Sequence, residues 1–236
     1  MERRVDPELL DVLPVTDPRA LGSRRDLERL NSWMRHDAIL AHLLRENLDG
    51  CGLEQIVELG AGDGRFMLTV ANRLARRWPG VAVRLLDRQN AMQPDTRIAF
   101  SALTWHAAPV VADVFQGLDQ LLMEGCQVMV ANLFLHHFTS SQLSRLLAAI
   151  AQRTCLFIAL EPNRSWLALG LSRWLGLMGC NVVTQHDAPI SVRAGFAGNE
   201  LSRLWPNPDQ WCFQEASVGL FSHLFLAQRR APEPRT

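Results

Sequence analysis

The chain has 236 residues, 48% of them hydrophobic, and 24 basic residues balance 24 acidic ones to a formal net charge of zero. That length and apolar content support one sizeable core without a second independent domain, and the charge balance offers no field for gathering nucleic acid or anionic lipid. All the basic residues are arginine and tyrosine is absent, which excludes lysine Schiff bases and phosphate-loop lysines and leaves His, Asp, Glu and Cys for proton transfer.

The lack of lysine fits codon bias in a GC-rich bacterial genome. Cys51, Cys126, Cys155, Cys180 and Cys212 stand singly, without the close pairs of a zinc site, and read as free thiols in a reducing cytosol. Glu2, Arg3 and Arg4 lead into acidic, proline-containing sequence with no apolar run. No signal peptide is therefore expected, and the expected location is cytoplasmic.

In chain order, Leu27, Leu30, Met34, Ala38, Ile39, Leu43 and Leu44 recur at helical spacing, predicting an amphipathic helical region over about 24–47. Residues 55–59 read as a buried strand running through glycines into a helix over 65–77. Further strands are predicted near 81–87, 105–112, 127–134 and 155–161, with a helix over 141–152. This alternation implies a parallel sheet covered on both faces. Residues 88–103 have poor periodicity and contain Pro94. The apolar stretch from Trp166 to Met178 is shorter than the roughly 20 residues of a membrane span and reads as a buried or lid helix. Two last apolar runs, 211–215 and 220–227, predict a terminal hairpin, followed by a frayed tail.

The loop Glu58, Leu59, Gly60, Ala61, Gly62, Asp63, Gly64 joins strand to helix where free amides and the helix dipole favour a ligand. A dinucleotide loop places its third glycine three residues after the second, and here that position is Arg65. Glycines at alternate positions, with an acidic residue two before them, resemble the first motif of class I S-adenosylmethionine-dependent methyltransferases. Taken alone, a glycine-rich loop is a weak signal, with an ordinary glycine turn or a nicotinamide fold as the alternative.

Downstream residues extend the likeness. Asp87 ends the second strand, with Arg88 beside it. A carboxylate there can accept both ribose hydroxyls, and it can equally cap a helix. Asp113, followed by Val114, closes the third strand, and the resemblance makes it the acceptor for the adenine amino group. Capping of the next helix is the plainer alternative. Asn132, Leu133, Phe134, Leu135, His136, His137 and Phe138 follow the fourth strand and look like the post-strand motif of bacterial small-molecule methyltransferases, several of which read L-H-H.

The resemblance implies an α/β fold: a Rossmann-like, mostly parallel seven-stranded sheet with helices on both faces, a C-terminal antiparallel hairpin and an N-terminal helical lid. Residues 1–50 would form the cap, 51–228 the methyltransferase domain with a substrate-facing insertion at about 163–209, and 229–236 a flexible tail. The cofactor implied is S-adenosylmethionine, with S-adenosylhomocysteine as product, seated on Glu58, Gly60, Ala61, Gly62, Gly64, Asp87, Arg88, Asp113, Val114, Asn132 and Leu133.

The acceptor is the harder question. Asn132 is followed by Leu133 and Phe134 in place of the two prolines and aromatic of amide and exocyclic-amine enzymes, which argues against a nucleic-acid or glutamine acceptor. The amide at Asn132 also lacks the carboxylate of a magnesium cluster. His136 and His137 have the type for zinc ligands, but no second ligand cluster is recognisable, so no metal is expected. They read as a base and a packing residue, or both as structural. His186, beside Asp187, is a further base candidate only if the backbone turns between them. Arg193 could bind a substrate carboxylate or pair internally. Trp33 and His36, on the N-terminal helical region, are expected at the acceptor, and the tryptophan-bearing helix after Glu161 is expected to help wall it. The expected partner is a hydrophobic small molecule, with no nucleic acid and no membrane span, in an assembly compatible with a homodimer. O-methylation of a phenolic or hydroxylated aromatic, in secondary metabolism, leads. C-methylation of a quinol-like ring and a non-catalytic cofactor-binding regulator are the alternatives.

Overall fold

The computed structural model describes residues 1–14, 16–48, 50, 52–121 and 128–230. Seven strands make one sheet: β1 (Gln55–Leu59), β2 (Ala82–Asp87), β3 (His106–Val111), β4 (Val128–Asn132), β5 (Leu156–Pro162), β6 (Trp211–Val218) and β7 (Ser222–Arg229), in the order β3-β2-β1-β4-β5-β7-β6. The first five run parallel, while β7 lies antiparallel between β5 and β6. The chain therefore reverses its direction of sheet growth between β1 and β4. The crevice beyond the carboxyl ends of those strands is the place where open α/β sheets bind ligands.

Period-2 alternation divides each central strand between two cores. Val128, Val130, Leu156, Ile158 and Leu160 face one core, built with α3 (His36–Asn47) and α4 (Arg65–Leu74). Met129, Ala131, Phe157 and Ala159 face the other, with α6 (Val114–Gln120) and α7 (Ser140–Ala151). Thr139 and Gln142 close a capping box at the start of α7, which satisfies otherwise unpaired amides.

The N-terminal region is α1 (Leu9–Val12), α2 (Pro18–Met34) and α3. The single amphipathic run read from the sequence is broken by Arg35, which adopts φ +58° and turns the chain between α2 and α3. Residues 88–103, where periodicity was poor, contain α5 (Pro94–Ala102); Pro94 occupies the first turn, where its missing N–H costs nothing, and Thr96 and Phe100 are buried.

Beyond β5 come α8 (Trp166–Ser172), α9 (Val182–Ala194) and α10 (Glu200–Leu204). Among the described residues no helix is long and apolar enough to cross a membrane. Cys180 and Cys212 are free. Cys155 is disulfide-bonded, correcting the free-thiol reading of that residue, since cysteines that stand singly in sequence can still be brought together by folding. Cys51, Cys126, Gln127 and residues 231–236 lie outside the described residues.

Candidate active site

A cavity of about 470 Å³ opens at the carboxyl ends of β1, β2 and β4. The glycine loop forms its floor. Gly60 and Ala61 donate their amides to the Leu86 carbonyl at 2.9 and 3.2 Å, Gly64 donates to Ala61 at 2.9 Å, and Gly62 donates to Asp87 Oδ2 at 2.9 Å. These amides are engaged within the loop, where a pyrophosphate would need them free. Gly60 adopts φ +69°, and a Cβ there would stand 2.1 Å from the Phe134 ring; at Gly62, φ +55°, the same atom would meet nothing within 4 Å.

Carboxylates outnumber arginines around the loop: Glu28, Glu58, Asp63, Asp87 and Asp113 line the cavity there, with Arg24 and Arg88. Glu58 is 2% exposed and its Oε2 has no hydrogen-bond partner among the described residues. Burial first, then Asp63 and Asp87, push its carboxyl well above the usual range. Asp87 also accepts the Gln89 amide at Oδ1, 2.8 Å, and each oxygen keeps a further lone pair. Asp113 caps α6 through the Phe115 amide at 3.0 Å and also lines the cavity. The buried, unpaired oxygen of Glu58 and the acidic rim fit a ligand that brings positive charge and donor groups. They do not fit a phosphate.

After β4 the backbone kinks at Leu133, φ +52°, a left-handed conformation uncommon for a residue with a side chain. Glu161, at the end of β5, holds the turn that follows. It is fully buried and accepts the amides of Phe134 at 3.0 Å, Leu135 at 2.8 Å and His136 at 3.3 Å, as well as His136 Nδ1 at 2.8 Å. His136 Nε2 reaches Glu8 at 3.3 Å. Burial opposes charge on His136, but the two carboxylates outweigh it and hold its pKa up at about 10. An imidazolium so held is no base near neutral pH, which corrects the reading of His136 as a proton acceptor. His137 is about a quarter exposed, and its Nδ1 lies 3.0 Å from Asp11 Oδ2.

Asn132 sits at the centre of a buried chain. Its Oδ1 accepts from His36 Nδ1 at 2.7 Å, its Nδ2 donates to Asn31 at 3.1 Å, and His36 Nε2 lies 2.6 Å from Ser222 Oγ. Burial lowers the His36 pKa, favouring the neutral ring, in which Nδ1 donates to Asn132 and Nε2 accepts from Ser222.

Of the residues read from the sequence, Glu58, Gly60, Ala61, Gly62, Asp87, Arg88, Asp113, Val114, Asn132, Leu133, His136 and His137 line the cavity. Gly64 instead caps α4. Four others do not reach the lining. Trp33 is 58% exposed and packs on Phe221. His36 stands one hydrogen bond behind Asn132. His186 does pair with Asp187 at 2.8 Å on a helical turn, but it is half exposed and absent from the cavity lining. Arg193, at the end of the same helix, is absent from the lining as well. Trp166 and Trp174 are also largely exposed, so the tryptophan-bearing segment does not wall the site.

The roof comes from the N-terminal region, through residues not singled out in the sequence as site residues: Glu8, Leu10, Asp11, Leu27, Glu28 and Asn31. Backbone amides of Leu9 and Leu10 donate to Asp187 at 2.9 and 3.0 Å, and Arg65 pairs with Glu28 at 3.1 Å, fixing the N-terminal segment over the loop.

Similarity to known proteins agrees with this geometry. An O-methyltransferase family protein from Burkholderia thailandensis superimposes with a TM-score of 0.57 at 17% identity, over 92% of this chain and 62% of its own. The chain thus spans about three fifths of that protein's length. Plantazolicin methyltransferase, solved with a monoazolic desmethyl analogue and SAH, gives 0.59 at 11% identity, over 91% and 92% of the two chains. The chain has the class I methyltransferase fold. In sequence it is 27% identical over 167 residues to uncharacterized methyltransferases of Mycobacterium bovis and Mycobacterium tuberculosis, covering 68% of this chain and 77% of theirs. No protein-family model matches the chain.

Proposed function

We propose that the chain is an S-adenosylmethionine-dependent methyltransferase whose acceptor is a small molecule, with O-methylation of a phenolic or hydroxylated aromatic as the reaction. The carrying observation is the acidic cavity over the glycine loop: Glu58, Asp63, Asp87 and Asp113 surround amides that are already engaged. S-adenosylmethionine carries a sulfonium and an ammonium and no phosphate, so this lining attracts it and repels a dinucleotide. When bound, it supplies an electrophilic methyl group. Asp87 and Asp113 have the spare acceptor capacity for ribose hydroxyls and an adenine amino group, and Glu58 has an unpaired oxygen toward the loop.

The acceptor belongs at the other end, where Leu10, Leu27, Phe134 and Phe138 offer apolar walls and Glu8, Asp11 and His137 offer polar groups. Such a mixture suits an aromatic ring bearing a hydroxyl. With His136 held charged, His137 is the cavity histidine suited to receive the hydroxyl proton: Asp11 holds Nδ1 and leaves Nε2 open. Residues 1–50 act in this reading as the cap. A secondary-metabolite acceptor is in keeping with structural likeness to mitomycin 7-O-methyltransferase, TM-score 0.52 over 59% of that chain.

Calorimetry with S-adenosylmethionine and S-adenosylhomocysteine tests the cofactor, and a panel of lipophilic phenols followed by mass spectrometry tests the transfer. We expect one cofactor site, weakened at least tenfold by Asp87→Asn. Absence of binding to either compound would refute the reading, and binding without transfer to any phenol would refute the acceptor class.

A further inference from the structure

Among the described residues, Glu8, His136 and His137 bring three ligand atoms within 4.8 Å of one another at the acceptor end of the cavity. We propose that this group is a binding site for a divalent transition-metal ion, best matched by Zn2+. The proposal rests on the acceptor end assigned above and names a means by which a hydroxyl is held and ionised there.

Three features point to a ligand set. The donors are two imidazoles and one carboxylate, a combination suited to Zn2+, whose catalytic sites take three protein ligands and leave one position open. The spacing of one donor pair fits as well: donors about 2.0–2.1 Å from a tetrahedral ion lie roughly 3.3–3.4 Å apart, His136 Nε2 stands 3.3 Å from Glu8 Oε1, and His137 brings its donor within 4.8 Å of both.

The third feature is the outer shell. Metal-bound histidines donate their other ring nitrogen to a carboxylate, which fixes orientation and raises basicity. Both histidines have such a partner, Glu161 at 2.8 Å from His136 Nδ1 and Asp11 at 3.0 Å from His137 Nδ1. Each ring is thereby oriented through Nδ1 with Nε2 left as its ligand atom. The ligands come from two unrelated places, the N-terminal segment and the turn after β4, and the sequence could not reveal a cluster assembled by folding.

The ion takes the place of the proton that His136 shares with Glu8, and that proton is released to solvent on binding. With the ion bound, the open coordination position would take an acceptor hydroxyl whose proton passes to solvent, and the resulting oxygen anion would bond to the methyl carbon of S-adenosylmethionine as the S–CH3 bond breaks and S-adenosylhomocysteine leaves. The His137 ring then serves as a ligand in place of a free base.

The test uses the full chain freed of metal with a chelator, titrated with Zn2+ by calorimetry and with Co2+ by visible absorption. We expect one ion per chain and a Co2+ spectrum of four-coordinate type. Glu8→Gln and His137→Ala should each weaken Zn2+ binding by about 100-fold or more, and Asp11→Asn, which touches only the back of His137, by about 10–100-fold. All three variants should still bind S-adenosylhomocysteine, which reports that they are folded. Wild-type protein that takes up no Zn2+, or a Glu8→Gln/His137→Ala double variant that binds it as tightly as wild type, overturns the proposal. A protein that binds Zn2+ at this group but neither cofactor compound would uphold the site and refute the methyltransferase reading.

Discussion

Replacing Glu161 by alanine probes the buried framework behind the site. Its carboxylate accepts four hydrogen bonds, three from consecutive amides and one from the His136 imidazolium, at 2.8 to 3.3 Å. Alanine removes one partner of a buried ion pair and leaves the charge on His136 facing Glu8 alone. Breaking a buried pair in this way costs about 3–5 kcal/mol, a large part of the roughly 5–15 kcal/mol that stabilises a domain. At about 2–4 °C per kcal/mol for a domain of this size, the melting temperature should fall by roughly 6–20 °C. Urea denaturation of the cofactor-free chain measures the energy, and the His136 ring resonances should titrate well below the wild-type value of about 10. Glu161→Gln, which keeps an acceptor for two amides, should lose less. A loss for Glu161→Ala of under about 1 kcal/mol, the size of an exposed pair, would refute the argument that this carboxylate holds the turn.

Gly60→Ala forces a Cβ into the Phe134 ring at φ +69°, so overpacking of about 1–3 kcal/mol adds to left-handed strain of about 1–2 kcal/mol; a denaturation midpoint unchanged from wild type would contradict this. Gly62→Ala meets open space and should cost only the strain, about 1–2 kcal/mol, while calorimetry shows weakened S-adenosylhomocysteine binding; unchanged affinity would remove the loop from the cofactor seat. His186→Ala should leave both cofactor affinity and turnover at wild-type values, since the ring lies outside the cavity, and a large fall in turnover would restore it as a base. For Glu215, burial raises the carboxyl pKa, but bonds from His223 and from the Ser202 and Leu201 amides outweigh it and lower the net value. Its contribution is therefore full above the unfolded value of about 4.3 and is lost as pH falls through the lower folded one, so Glu215→Gln should flatten that part of the acid-denaturation curve.

The fold was legible because its signals are local. Alternating apolar runs mark β1 to β5, and the spacing of Gly60, Gly62 and Gly64 before Arg65 separates this loop from a dinucleotide turn. Asp87 and Asp113 stand at strand ends, where sheet topology alone sends them to one crevice. The helix over residues 94–102 was obscured because a short helix with Pro94 in its first turn buries only two side chains and shows little periodicity. Trp33, His36, His186 and Arg193 were misplaced for a different reason: residue type and proximity in sequence do not say which side of a helix faces a cavity. The left-handed turn at Arg35 rotates α3 relative to α2, and it buries His36 behind Asn132 while Trp33 stays outside.

Glu8, Asp11 and Glu161 went unread as site residues because their roles exist only between segments. Glu8 gains its place by reaching across 128 positions to His136, as the difference in their numbers shows, and no periodicity records such a contact. Glu161 does have a local sign, an acidic residue at the carboxyl end of a parallel strand, the same sign that marks Asp87. Its different role follows from burial: Asp87 lines the cavity, whereas Glu161 is fully enclosed and spends its oxygens on the turn that carries both histidines. In the proposed function, cofactor seat and acceptor end therefore depend on different parts of the chain. The strand ends define the first, while the second is complete only when the N-terminal segment lies over the sheet, held there by Asp187 and the Arg65–Glu28 pair. A change in that segment should consequently alter acceptor handling while leaving the glycine loop intact, and the loop's internal hydrogen bonds give the physical reason for the separation.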